Sequence, residues 1–245
     1  MSGRTTLATA ARVLGQLRRD PRTVALMVLV PTLLIVLLRY VFDGQPQTFD
    51  RIGVPLLGLF PFVTMFLVTS ITMLRERTTG TLERLMAMPM GRLDLLVGYA
   101  VAFGVMAVLQ TAVAASVSVG LLDLDTVRSP ALVGALALAN AMLGMALGLL
   151  VSAFASTEFQ AVQFMPAVVF PQLLLCGLFL PRDLMAGWLE AVSAVLPLTY
   201  AYDALARVAD PAPLGSRFAL DVAVTVGATL LSLALGAVTL RRRTA

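Results

Sequence analysis

Six stretches of this chain are apolar for long enough to cross a bilayer, or nearly so, which takes ~20 residues of helix. They run over 24–42, 52–74, 93–122, 130–155, 161–180 and 217–240. Their apolar residues are continuous rather than alternating, which selects helices over barrel strands. Two segments outside the runs have an apolar face of their own. In 5–19, Leu7, Ala11, Leu14 and Leu17 recur at helical spacing while Arg12, Arg18 and Arg19 fall elsewhere, the pattern of an amphipathic helix lying on a membrane surface. In 184–208, Leu184, Trp188, Ala191, Val192 and Val195 form a stripe that breaks at Pro197, and a second short helix over 199–208 follows. Neither half is long enough to span, so 181–216 reads as two short helices at, or dipping into, one leaflet. The expected fold is all-α: a polytopic membrane protein of six transmembrane helices, one domain over 1–245.

The polar positions orient this bundle. With the N-terminus inside, the inner segments hold Arg4, Arg12, Arg18, Arg19, Arg22, Arg75, Arg77, Arg84, Arg92, Arg241, Arg242 and Arg243. The outer segments hold Arg51, Arg128, Arg182, Arg207 and Arg217, with Arg39 near the outer end of the first run. Basic residues concentrate on the cytoplasmic side, so both termini, the amphipathic segment 1–23 and the connector 75–92 are expected in the cytoplasm of a multi-pass protein of the cell's plasma (inner) membrane, with 181–216 outside.

Composition agrees and removes several function classes. Of the 245 residues, 59% are hydrophobic and 13% charged, about half the charge of a soluble domain. Every one of the 18 basic residues is arginine, and histidine is absent. A phosphate-binding loop of the G-x-x-x-x-G-K-[ST] kind needs its lysine, so the chain carries none. Histidine relays and histidine metal ligands are excluded, and no metal site or catalytic residue is expected. The isoelectric point near 10.0 follows from arginines at the ends of apolar runs, so nucleic acid is not an expected partner. The lone Cys176 lies in an apolar run and reads as a buried, inert thiol.

The connector is unusual. Between the second and third runs stands RERTTGTLERLMAMPMGR, residues 75–92, with four arginines and two glutamates. Thr81 is placed to cap a short helix, Glu83 falls in its first turn, and Leu82, Leu85 and Met86 share a face. Pro89 ends it by about residue 88. Two turns are not stable alone in water, so this helix must rest on something: the bilayer surface, or a groove on a cytoplasmic partner.

The residues RERTTGTLERLMAMP, followed by GRLDLLVG at 91–98, resemble the hallmark between the second and third spans of type-2 ABC transporter permeases, also called type V ABC exporters. The family reads roughly E-R-E-x-G-T-L-E-x-L-x-x-x-P. This chain keeps Glu76, Arg77, Gly80, Thr81, Leu82, Glu83, Leu85 and Pro89. It departs after Gly98, where the family often has lysine and this chain has Tyr99. LPRDLMAGWLEAVSAVLPLTYAYDALARV, residues 180–208, is similar to the stretch that the drug-exporting branch places before its last span, with Pro197–Tyr200 and Asp203–Leu205 in register. The resemblance implies a permease that pairs with a second permease copy, identical or paralogous, above two copies of an ABC ATPase that carry the ATP and Mg; no cofactor is implied on this chain. It implies that 75–90 is the coupling helix, with Glu76, Arg77, Gly80, Thr81, Glu83, Arg84 and Pro89 as the coupling residues, and that 5–19 and 184–208 match the family's amphipathic and re-entrant helices.

Polar residues within spans are costly in lipid. Asn140, Gln163 and Gln172 are the clearest, and two readings stand for them: a substrate path, or hydrogen bonds between helices. Asp203 and Arg207, four apart with the acid first, are expected to pair along one helix. The function implied is ATP-driven outward movement of a hydrophobic or amphipathic small molecule, a drug or antibiotic. The alternatives are export of a polysaccharide or lipid-linked glycan, and a membrane scaffold or assembly factor that transports nothing.

Overall fold

The computed structural model describes residues 3–81, 84–85 and 91–239. It is helical, with no strand among the described residues. The helices are α1 (Gly3–Arg19), α2 (Pro21–Val41), α3 (Pro46–Thr78), α4 (Arg92–Gly120), α5 (Pro130–Val151), α6 (Glu158–Phe164), α7 (Phe170–Leu175), α8 (Gly187–Ser193), α9 (Pro197–Ala209) and α10 (Gly215–Thr239). Four of them, α2, α3, α5 and α9, open on a proline, whose missing N–H would have no partner in a first turn anyway. Asp20 caps α2 by accepting from the Thr23 amide at 3.2 Å and hydroxyl at 2.6 Å.

Five helices, α2, α3, α4, α5 and α10, are long and apolar enough to cross a membrane. The stretch expected as a further span, 161–180, is built differently. It winds as α6, a π-helical turn over Met165–Val169, and α7, and it leaves the helix at Cys176 before Gly177 at φ +104°. Pro166 and Pro171 are the cause. Each lacks the N–H that a regular helix would donate four residues back, so the winding loosens around them. Most of the stretch between the first two apolar runs is helical, because Pro46 starts α3 and polar residues form its first turns.

The spine is α3 against α5. These two bury most of their length, while α2 and α10 leave most of theirs outside. Gly144 and Gly148, one turn apart in α5, let the backbones touch: a methyl group on Gly144 would stand 2.2 Å from the Phe62 carbonyl oxygen, and one on Gly148 2.4 Å from that of Phe66. The Thr69 hydroxyl lies 3.2 Å from the Met145 carbonyl across this seam, besides bonding to Met65 in its own helix. Small residues are what bring two helices this close where lipid supplies no hydrophobic drive.

Because α3 is a single 33-residue helix, about 50 Å long at 1.5 Å per residue, its two ends define the two ends of the bundle. Near Arg75 gather α1, Ser152 and Glu158. Near Asp50 gather the 121–125 loop and, through the outer helices, 182–212. The connector and the α8–α9 hairpin therefore sit at opposite ends, as the arginine distribution requires. In that hairpin α9 is embedded rather than lying on top. Asn140 donates to its Ala201 carbonyl at 3.2 Å, and Leu205 fills the space over Gly58, well down α3.

The expected Asp203–Arg207 pair does not form. Asp203 takes Arg182 from the turn before α8, and Arg207 pairs at 2.8 Å with Asp221 of α10. Asp221 is almost wholly buried. A carboxylate in that setting needs a cation, and Arg207 faces it across the helix interface.

Candidate functional site: the charged end of the bundle

At the Arg75 end, α3, α1 and α4 meet around one buried carboxylate. Glu76, 6% exposed, accepts from Arg12 Nη1 of α1 at 3.0 Å and from Gln16 Nε2 at 3.2 Å. Arg12 turns its other terminal nitrogen to the hydroxyl of Tyr99 in α4, at 2.6 Å, with the guanidinium 5.7 Å from the ring centre. Tyr99 has no exposed surface. The planar guanidinium suits this position because it serves a carboxylate and a phenol at once. Close approach of α1 to α4 is possible because residue 98 is glycine: a methyl group there would sit 2.6 Å from Thr9 Cβ.

This network sets which side of α1 packs on the protein: Thr6, Thr9, Ala10, Val13 and Leu17 are buried. Of the stripe read from the sequence, Leu7 and Ala11 are exposed, Leu14 is partly so, and Leu17 is on the buried side. The small hydroxylated residues won that face because the helix packs on glycine and on a charged network, where close fit matters more than apolar area.

Two further contacts tie the end of α3 to the chain after α5. Arg77 donates to the Ser152 carbonyl. Arg75 forms a two-pronged pair with Glu158, at 2.7 and 3.0 Å, and holds that exposed carboxyl below its ordinary range by hydrogen bonding. Helix α3 ends at Thr78 with Thr79 as its cap, and Gly80, at φ +71°, turns the chain out of it. The Gly80 carbonyl accepts from the Arg84 amide at 3.2 Å, so the connector's helix begins at Gly80 rather than with Thr81 as its cap. The Thr81 hydroxyl lies 3.1 Å from that of Thr79. Arg84 is exposed, while Leu85 is buried in the cluster that holds Ala10, Val13 and Leu17 of α1. The connector helix thus rests part of its apolar face on its own protein. Glu83 and Pro89 lie outside the described residues, as do Leu82 and Met86. A cavity of about 280 Å³ opens beside this junction, lined among others by Gln16, Asp20, Thr72, Glu76 and Thr81.

The polar residues read within spans separate. Asn140 and Gln172 bond between helices: Asn140 joins α5 to α9, and the Gln172 carbonyl accepts from the Leu198 amide at 3.4 Å, in the first turn of α9. Gln163 is exposed on α6. None of the three lines the cavity beside the junction or either of the two larger ones described below. One such residue was missed. Gln110 of α4 is fully buried and both polar atoms of its side chain lack a partner among the described residues. Its signal was in plain view, as the lone amide of the third apolar run.

Two larger cavities flank the bundle. An apolar groove of about 860 Å³ lies between α2, α3 and the 165–179 stretch, lined among others by Met27, Leu34, Phe60, Val63, Met165 and Leu173. Its polar members, Thr23 and Thr64, already bond to Asp20 and to the Phe60 carbonyl. Phe60 lines it; Phe62 and Phe66, on the same helix, are buried in the core. A polar cavity of about 900 Å³ opens at the other end, among Asp50, Arg51, Asp125, Tyr202, Asp203 and Arg207.

Helices of this length and polarity, braced at one end by buried charge around a short connector, define a multi-pass helical membrane protein. The chain belongs to the ABC-2 type transporter family, whose profile matches residues 5–208, from α1 through α9. It is 26% identical over 164 residues, 66% of its length, to ABC transporter G family member 20 of Dictyostelium discoideum. It is 26% identical over 148 residues, 60% of its length, to the probable multidrug ABC transporter permease YbhR of Escherichia coli K12. The matched regions make up 22% and 40% of those two relatives.

Proposed function

We propose that this chain is the transmembrane subunit of an ATP-driven exporter of hydrophobic or amphipathic small molecules, working in the plasma membrane with both termini in the cytoplasm. A separate ABC ATPase, two copies per transporter, carries ATP and Mg. It docks on the connector, where Thr81, Glu83 and Arg84 meet it and Gly80 and Pro89 set the limits of the coupling helix. The observation that carries this reading is the bracing of the connector's stem. Glu76 is held to α1 and, through Arg12, to Tyr99 of α4; Arg75 and Arg77 are held to the chain beyond α5. A push on the connector therefore reaches α1, α3, α4 and α5 together. Glu76 and Arg77 act from inside, as fixings of the stem.

The apolar groove supports the substrate class. We assign it as half of the substrate path, completed by a second permease copy. Its walls are apolar apart from two threonine hydroxyls whose donors are already used, which suits a lipophilic molecule and not a glycan, most of whose hydroxyls would be stripped of water without replacement. The relative named as a probable multidrug permease agrees with that class. Asn140 and Gln172 are positioned as interhelical links beside this path.

The test is transport in vesicles holding the chain and its ATPase, with Arg84→Glu and Glu83→Arg variants. Substrate-coupled ATP turnover and uptake fall by tenfold or more while the permease melts at its usual temperature. Undiminished transport in both variants overturns the coupling assignment. Loss of ATPase co-purification in either variant supports it.

A further inference from the structure

Helix α1 has two working sides, and the coupling network uses one. Thr6, Thr9, Ala10, Val13 and Leu17 are buried against the bundle, with Thr6 and Thr9 on Gly98 of α4, and Arg12 and Gln16 reach Glu76. On the far side from Glu76, Leu7, Ala11, Leu14 and Arg18 follow one another at helical spacing. Leu7, Ala11 and Arg18 are exposed; Leu14 is partly so and packs on one side against the core cluster of Ala10, Val13 and Leu17. Arg4 lies at the margin of this strip; Arg19 and Arg22 stand at the corner where α1 gives way to α2. All four arginines are exposed, and none forms an ion pair among the described residues. Asp20, between Arg19 and Arg22, accepts from Thr23 and feels the charges of Arg75 and Arg22 without forming an ion pair with either.

We infer that this face of α1 is a binding surface for anionic phospholipid headgroups. Two features choose lipid over an acidic protein. The strip joins exposed leucine to arginine on one side of a surface helix, the composition of a helix seated at the headgroup boundary. It also continues into exposed apolar surface: only Asp20 separates α1 from α2, whose Leu29, Leu33 and Leu37 are exposed. Leucines reach the acyl boundary, and the four guanidiniums meet phosphates, for which their forked donors are shaped. Because Arg12 fixes α1 to Glu76 and Tyr99, lipid charge then bears directly on the stem of the connector.

The experiment uses the full chain in vesicles of phosphatidylcholine and phosphatidylglycerol at a ~3:1 ratio, where each arginine near an anionic surface favours the charged lipid ~fivefold. Ala11→Cys, in a Cys176→Ser background, carries a fluorophore, and bromine is placed on the chains of one lipid or the other. Brominated phosphatidylglycerol is expected to quench at least ~fivefold more per molecule than brominated phosphatidylcholine, and the preference to collapse toward one in molar salt. It also disappears when Arg4, Arg18, Arg19 and Arg22 are all changed to Gln. Equal quenching by the two lipids in the parent chain overturns the inference, as does no quenching by either, or a preference that survives in the glutamine variant. Should that variant fail to fold, the salt series on the parent chain decides alone. No ATPase is present, so failure here leaves the export reading intact.

Discussion

Placing one methyl group at Gly144 tests the spine of the fold directly. In Gly144→Ala the new carbon would stand 2.2 Å from the Phe62 carbonyl oxygen and 2.9 Å from that residue's carbonyl and α carbons. A carbon resting against a carbonyl oxygen needs ~3.3 Å, so α3 and α5 must separate by about 1 Å. No side chain can rotate away, because the obstacle is backbone. Overpacking of this kind costs ~1–3 kcal/mol, and the parting seam also weakens the Thr69–Met145 bond, worth ~0.6 kcal/mol in a bilayer. The sum, about 2–4 kcal/mol, corresponds to a melting temperature lowered by roughly 5–15 °C for a chain of this size. Gly134 of the same helix is the control, since a methyl group there meets nothing within 4 Å. Gly134→Ala should be neutral or slightly stabilising, by ~0.5–1 kcal/mol from helix propensity. Thermal denaturation of the two variants in detergent, followed by size-exclusion fluorescence, makes the comparison. Equal stability of Gly144→Ala and Gly134→Ala would refute close backbone packing as the basis of the α3–α5 seam.

Three other outcomes follow from the charged end. Arg12→Ala should release α1 and destabilise more than Glu76→Gln, because it strands a buried carboxylate, at ~3–5 kcal/mol, whereas the amide remains a partner for Arg12; protease cleavage within 3–19 reports the difference, and equal protection of the two would contradict it. Glu158 is held below its ordinary 4.5 by Arg75, so the pair's stabilisation, under ~1 kcal/mol for an exposed pair, is complete above that value and fades as pH falls through the lower folded-state value. Melting temperatures of wild type and Glu158→Gln should therefore differ by a constant above pH 5 and converge in more acid buffer; a gap that widens with acid has the wrong sign. Gly80 stands at φ +71° with open space around it, so Gly80→Ala should cost ~1–2 kcal/mol through backbone conformation alone, and Gly80→Asn less, as read from thermal denaturation of both.

Much of the architecture was legible because lipid leaves few options. Continuous apolar runs had to be helices, but four of the helices begin on prolines, at 21, 46, 130 and 197, which is up to six residues before the starts read from the sequence. Arginine placement separated the connector from the α8–α9 hairpin correctly. What could not be read was which partner each charge takes. The Asp203–Arg207 spacing was sound along one helix, yet both residues found better partners across interfaces, because Asp221 is buried and a distant arginine was within reach. The same limit applies to α1. Its leucine periodicity was real, but the docking face was chosen by Gly98 and by Glu76, both far away in sequence. Glu76 looked like one more connector charge; only the fold shows that it faces inward.

The π-helical turn at Met165–Val169 has a consequence for the groove beside it. Pro166 leaves the carbonyl of Val162 without its usual helical donor, and Pro171 does the same for Ala167, so the wall carrying Met165 and Leu173 lacks two of its α-helical rungs. Bending there breaks no regular ladder. The mouth of the groove can gape or narrow by flexing that one pillar, while the α3–α5 seam opposite stays shut.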